Sequence, residues 1–247
     1  MEGFELIVAA GGDGTLNEVL NGIGDAPEGF ERARLGVLPL GTVNVFAREL
    51  AIPLNIQAAW EVILQARDTR IDLPKVICLS NGVQRRWYFA QLAGAGLDAR
   101  AIELVQWELK KKIGPLAYIL AGLHAVLGSP SQITATAAGR TLAGQLVLIG
   151  NGRLYGGHFS IFPNANLRDG LLEICVFPRV DWPMLARCSP GLLLRGRLPA
   201  CATTGLQAEQ LTLASAAPVP VEVDGELIGH LPASFSIERS RLRVVVP

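Results

Sequence analysis

The sequence predicts two domains: an α/β domain on a parallel sheet, then a larger, mostly antiparallel β domain. Three observations carry this. The apolar run Leu6-Ile7-Val8-Ala9-Ala10 ends in Gly11-Gly12-Asp13-Gly14-Thr15, the pattern of a buried parallel strand running into a glycine turn and helix. Residues 34–66 repeat the order strand, turn, helix. After about Thr69 the chain becomes short apolar strands separated by turns. A length of 247 residues accommodates two modest domains.

Residues 5–10 form the first strand. Residues 15–23 form a helix whose apolar stripe is Leu16, Val19, Leu20 and Ile23. A loop with Asp25, Pro27 and Gly29 leads to a strand over 34–38, a second turn at Pro39-Leu40-Gly41-Thr42, and a short helix over 44–50. Ile52-Pro53 stops that helix, and another covers 56–66 with Ala59, Ile63 and Trp60 on its apolar side. The boundary between domains falls near 67–72. Strands follow at 71–79, 86–93, 132–137, 142–150 and 171–177, with a hairpin turn at Ala138-Gly139. Pro115 opens a helix lined by Leu116, Ile119, Leu120, Leu123 and Leu127, and a shorter helix covers 181–188. The last strands are 206–213, 219–223, 233–237 and 242–246. Residues 1–70 then form a partial α/β domain, and the β domain begins at 71.

Composition narrows the function. Lys plus Arg and Asp plus Glu are both 22, so the formal charge is zero and nothing supports a general nucleic-acid binder. Cys78, Cys175, Cys188 and Cys201 form no CxxC pair and read as buried thiols. Glu2 and Glu5 stand where a signal peptide would carry basic residues. No apolar run approaches the ~20 residues of a membrane span, so any membrane contact is expected to be peripheral. His124, His158 and His230 lack the spacing of a zinc hydrolase, and no GxSxG elbow is present.

Gly11, Gly12 and Gly14 let backbone N–H groups crowd a phosphate at the start of a helix. A carboxylate repels phosphate, so Asp13 either orients a loop N–H or hydroxyl or binds a bridging Mg²⁺. Thr15 offers its hydroxyl to phosphate or caps the helix. Asn17 or Glu18, just beyond, reaches the same site. There is neither a Walker A Lys nor GxGxxG spacing. Parallel strands of one sheet end on the same side, so Thr42 and Asn44 of the second turn stand beside the first. Asn44 then bonds a ribose, base edge or phosphate, or closes its own turn. In the β domain, Asp224-Gly225-Glu226 follows a strand, either as two cleft carboxylates or as an acidic hairpin turn. Asp169, in the polar loop 163–170, is a candidate ligand for a hard cation.

Together these segments resemble the diacylglycerol kinase catalytic family, which includes bacterial lipid kinases and sphingosine kinases and shares its nucleotide fold with NAD kinases. The resemblance rests on residues 11–22, on Leu38-Pro39-Leu40-Gly41-Thr42-Val43-Asn44, and on Gly94-Ala95-Gly96-Leu97-Asp98-Ala99. It continues through Asn151-Gly152, Gly156-Gly157, Pro163-Asn164-Ala165, Asp169-Gly170-Leu171-Leu172 and Asp224-Gly225-Glu226. It implies an ATP-binding α/β domain of residues 1–70 joined by a returning segment over 236–247, a β-sandwich-like lipid domain over 71–235 and a cleft between them. It places Gly11, Gly12, Asp13, Gly14, Thr15, Asn17, Thr42 and Asn44 at the nucleotide. Asp224 is then the general base with Glu226 beside it, and residues 166–169 are a structural Mg²⁺ loop. The reaction implied is transfer of the γ-phosphate of ATP, with Mg²⁺, to a lipid hydroxyl such as that of diacylglycerol. The enzyme would be cytoplasmic, transiently at the inner membrane face. The alternatives are NAD⁺ as acceptor or an inactive lipid-binding remnant. The sequence departs from the family in three places. Two strand–helix units that usually precede the glycine turn, with an Asn-Pro loop, are absent, which implies a truncated α/β domain. Val45 stands where Asp is common. Arg168 adjoins Asp169 where an acidic residue or Asn is common.

Overall fold

In the computed structural model, which describes residues 3–96, 131–157, 159–195 and 204–247, β1 (Leu6–Gly11) pairs in parallel with β2 (Arg34–Pro39). Leu6 lies opposite Arg34 and Gly11 opposite Pro39, so the two strands end level and both glycine-containing turns leave from the same sheet end. Helix α1 (Asp13–Asp25) starts inside the glycine turn, two residues earlier than expected, and buries Leu16, Asn17, Leu20 and Ile23. A single helical turn, α2 (Gly29–Arg32), occupies the expected loop because Phe30 drops into the core. Helix α3 (Val45–Glu49) follows the second turn. Helix α4 (Ile56–Gln65) is capped by Asn55, whose side chain accepts the Ala58 N–H. Its buried face is Ala59, Val62 and Ile63. Trp60 is one residue off that stripe, about 100° around the helix, and is 46% exposed.

The β strands are β3 (Asp68–Ser80), β4 (Val83–Tyr88), β5 (Leu92–Gly96), β6 (Ile133–Ala137), β7 (Arg140–Gly144), β8 (Leu146–Gly150), β9 (Leu154–Tyr155), β10 (Phe159–Ser160) and β11 (Leu172–Phe177). After helix α5 (Trp182–Arg195) come β12 (Thr204–Ala208), β13 (Gln210–Ser215), β14 (Pro220–Val223) and β15 (Glu226–Val245). Nine of them lie in the order β12-β11-β8-β5-β14-β15-β13-β6-β7 within one sheet of 13 strands. That sheet curls over a shared core. Ile149 and Ile174 from one end of the order pack in the same cluster as Ile133, Leu211 and Leu213 from the other. Among the described residues, parallel pairing is confined to β1 with β2 and the bridge between Val244 and Leu35. The expected parallel sheet is therefore the margin of a larger, otherwise antiparallel one.

Strand β15 unites the expected strands 233–237 and 242–246 through a bulge between Glu238 and Leu242. There Ser240 takes a positive φ of 50°, and its N–H donates to buried Asp72. The end of β15 pairs with β3 and β2, and Leu242 and Val244 join Leu20, Leu35, Phe46 and Ile71 in a second core. β3 runs without a break through residues 68–80, across the change of sequence texture near 67–72. The expected strand over 86–93 is two strands, broken where backbone N–H groups turn to a side chain described below. The strands expected over 142–150 and 206–213 are likewise divided, at Gln145 and Glu209, where backbone groups bond Phe177 and Ile237 instead. Ala138 and Gly139 make the hairpin turn with φ of 49° and 71°. The helix expected after Pro115, Lys110-Lys111-Lys112, His124, His158 and Cys201 lie outside the described residues. Cys78, Cys175 and Cys188 are buried, and burial pushes the Cys78 thiol up to about 11. Among the described residues, no helix is long and apolar enough to cross a membrane.

Candidate active site

The glycine turn leaves Gly12 extended at the N-cap of α1, with no side chain capping the helix. The first N–H groups of a helix have no partner within it, and its dipole favours an anion there. The turn expected at Gly11 to Thr15 thus opens a helix whose first N–H groups have no side-chain cap. The second turn lies against it backbone to backbone: a Cβ on Gly41 would run into the Gly12 Cα. The Leu40 N–H also donates to the Gly11 carbonyl at 2.9 Å. Of the two roles open to Asp13, the structure uses the first. Its carboxylate accepts the N–H groups of Val45 (3.1 Å) and Phe46 (3.3 Å) and so caps α3. Asn44 is buried with a φ of 53°, and closes its own turn. Its Oδ1 accepts the Gly41 N–H at 3.0 Å and its Nδ2 donates to the Gly41 carbonyl at 2.7 Å. Thr15 and Thr42 are exposed at the two turns.

The late acidic motif meets this site across α1. Asp224 takes a φ of 48° and Gly225 one of 86°, which sharply reverses β14 into β15. Both oxygens of Asp224 are used twice. Oδ1 accepts the N–H groups of Gln91 (2.9 Å) and Leu92 (3.0 Å), and Oδ2 accepts the Ala90 N–H (2.7 Å) and the Asn17 amide (3.0 Å). These donors are the reason the chain breaks between β4 and β5. Burial holds the Asp224 carboxyl above the usual carboxylate range, while the bonds from Ala90, Leu92, Asn17 and Gln91 oppose that rise. Asn17 also donates to the Tyr88 carbonyl at 3.2 Å, and Asn21 exchanges hydrogen bonds with the Tyr88 backbone. Asn17 is thus spent on joining α1 to the β strands.

Glu226 is exposed and differs from Asp224. Its Oε1 would lie 3.0 Å from a Cβ on Gly14, so its carboxylate stands at the N-terminus of α1. Two loops some two hundred residues apart in sequence therefore meet at Gly14 with Glu226 and at Asn17 with Asp224.

Asp169 does not belong to this group. Its Oδ1 accepts the Leu171 N–H at 2.9 Å. Nearby Asp72 uses its oxygens on the Gly170 and Ser240 N–H groups, and the Arg239 guanidinium lies against Gly170. Among the described residues no three His, Cys, Asp or Glu side chains gather to hold a metal ion. The loop is held from within: Asp169 Oδ1 takes the Leu171 N–H, and Asn166 Oδ1 accepts the Arg168 N–H at 3.1 Å. Sequence reasoning missed Asn21, four residues beyond Asn17 on the same helix face, and Glu49, treated below. The spacing of Asn17 and Asn21 was the available signal for the first.

Comparison with known proteins identifies the family. The family model described as the diacylglycerol kinase catalytic domain matches residues 1–76. The one described as the YegS C-terminal NAD kinase beta sandwich-like domain matches residues 91–246. The chain is 30% identical over 250 residues to a diacylglycerol kinase of Staphylococcus carnosus (strain TM300), covering 100% of this chain and 78% of that one. It is 31% identical over 243 residues to a diacylglycerol kinase of Staphylococcus aureus (strain bovine RF122 / ET3-1), covering 96% and 73%. The crystal structure of a diacylglycerol kinase from Bacillus anthracis str. Sterne superposes with a TM-score of 0.78 at 26% identity, over 98% of this chain and 78% of that one. With two family models spanning most of its length and relatives at this identity, the chain belongs to the diacylglycerol kinase family and is a kinase by that membership.

Proposed function

We propose that this protein transfers the γ-phosphoryl group of ATP to the hydroxyl of diacylglycerol or a related lipid, at the inner face of the membrane. The observation that carries the reading is the Glu226 carboxylate at the open N-terminus of α1, beside Gly14. An anion site and a proton acceptor then stand side by side, the pairing phosphoryl transfer to a hydroxyl requires. The glycine turn and Thr15 hold the donor phosphates, and Thr42 borders the same space. Asp13 and Asn44 act through the turns they fix.

The two acidic residues divide the work. A general base needs a free lone pair, and all four acceptor positions of Asp224 are engaged. We therefore assign Asp224 to positioning and Glu226 to the lipid hydroxyl. As the hydroxyl oxygen bonds to the γ-phosphorus, its proton passes to Glu226 and the bond to the β-bridging oxygen breaks, releasing ADP. ATP enters as its Mg²⁺ complex, and the ion neutralises charge on the phosphates. The two-unit division supports this arrangement, with residues 1–70 and the returning end on the nucleotide side and the β strands on the lipid side.

The test is phosphorylation of diacylglycerol in mixed micelles with labelled ATP. Glu226→Gln should lower kcat by about 10²–10⁴-fold with ATP affinity retained. Label appearing on NAD⁺ in place of lipid, or a Glu226→Gln enzyme as fast as its parent, would overturn the reading.

A further inference from the structure

Glu49 is the last residue of α3, and its side chain is only 3% exposed. Its carboxylate accepts four hydrogen bonds from residues distant in sequence. They come from the N–H groups of Arg153 and Leu154 (3.0 Å each), from Arg153 Nε (2.8 Å) and from Gln91 Nε2 (3.1 Å). A carboxylate this buried persists only when paired and fully bonded. Here the pairing holds the loop between β8 and β9. Just beyond β9 the chain touches the second turn again at Gly157, which takes a φ of 114°, where a Cβ would stand 3.2 Å from Val43 Cγ1.

The opposite end of α3 is capped by Asp13 of the glycine turn. The helix has five residues, so about 7 Å separates its two ends. One short rigid element thus has the phosphate-binding turn on its N-terminus and the segment 151–157 on its C-terminus. A shift of that segment must move the turns built on Gly12 and Gly41.

We propose that Glu49 and Arg153 are positioning residues for the nucleotide: the buried clamp fixes α3, and through it the two turns that receive the ATP phosphates. The inference rests on the kinase reading above, and binding measurements separate the two. Affinity for a non-hydrolysable ATP analogue with Mg²⁺ is measured by calorimetry on parent, Glu49→Gln, Arg153→Gln and Arg153→Lys proteins, beside steady-state kinetics and melting temperature. Arg153 is 53% exposed, so its variants retain the fold even if Glu49→Gln does not. Arg153→Gln should weaken analogue binding and raise the ATP KM about tenfold. kcat at saturating ATP should fall far less, the lipid KM should hold, and Arg153→Lys should recover most of the affinity. Unchanged analogue affinity in Arg153→Gln, or a lowered melting temperature with an unchanged ATP KM, overturns the clamp. A parent protein that binds no analogue overturns the kinase reading instead.

Discussion

Asp224 accepts four hydrogen bonds from three backbone N–H groups and one amide, yet burial still holds its carboxyl above the ordinary range. The sign of the consequence follows. The unfolded chain releases this proton near pH 4, while the folded protein keeps it to higher pH. Over that window the native state binds more protons than the unfolded one, so stability from this group is greatest at the acid end and falls as pH rises through the folded value. The melting temperature of the parent relative to Asp224→Asn should therefore decline from pH 4 upward, in a series of thermal melts. A constant difference across the series would contradict the burial argument. The sequence marks Asp224 and Glu226 as a pair of acids, but not how different their surroundings are. Glu222 is as buried as its valine neighbours, and Asp224 sits in a left-handed turn.

At the level of elements, the site depends on two turns whose backbones touch. Gly12 and Gly41 face each other so closely that a Cβ on either would press on the other's backbone, and the Gly41 contact is the tighter. Gly41→Ala should cost about 1–3 kcal/mol by overpacking, read from urea unfolding, and should weaken nucleotide binding as the turns separate. An alanine variant of parental stability would mean that the turns part easily. Both turns were legible from glycine content and position alone. The ends of the β strands were less so. The chain stops pairing after Tyr88 because Ala90, Gln91 and Leu92 give their N–H groups to a carboxylate about 130 residues away. No local propensity reports such a partner.

For the whole molecule, α1 is the axle between the two halves. Asn17 bonds both the Tyr88 carbonyl and Asp224, and Asn21 repeats the contact with Tyr88 one helical turn on. Asn17→Ala should leave two acceptors short of a donor, at a cost of about 1–3 kcal/mol in urea denaturation. It should also lower kcat, since Asp224 and the reversal it anchors lose a tether. Parental stability and turnover would show that Asn21 alone suffices. The long β15 ties the same halves together by pairing with β14, β13, β3 and β2 in turn. By itself the sequence determined the glycine turns, the helices beside them, the strand-rich remainder and the family, because backbone freedom and apolar periodicity act over a few residues. Only the tertiary structure decided that the parallel strands are the edge of one curled sheet, that Asn17 and Asn44 are spent on protein contacts, and that Glu226 faces the helix end while Asp224 is held by four donors. Those outcomes depend on hydrogen-bond partners and packing surfaces that folding brings together from distant parts of the chain.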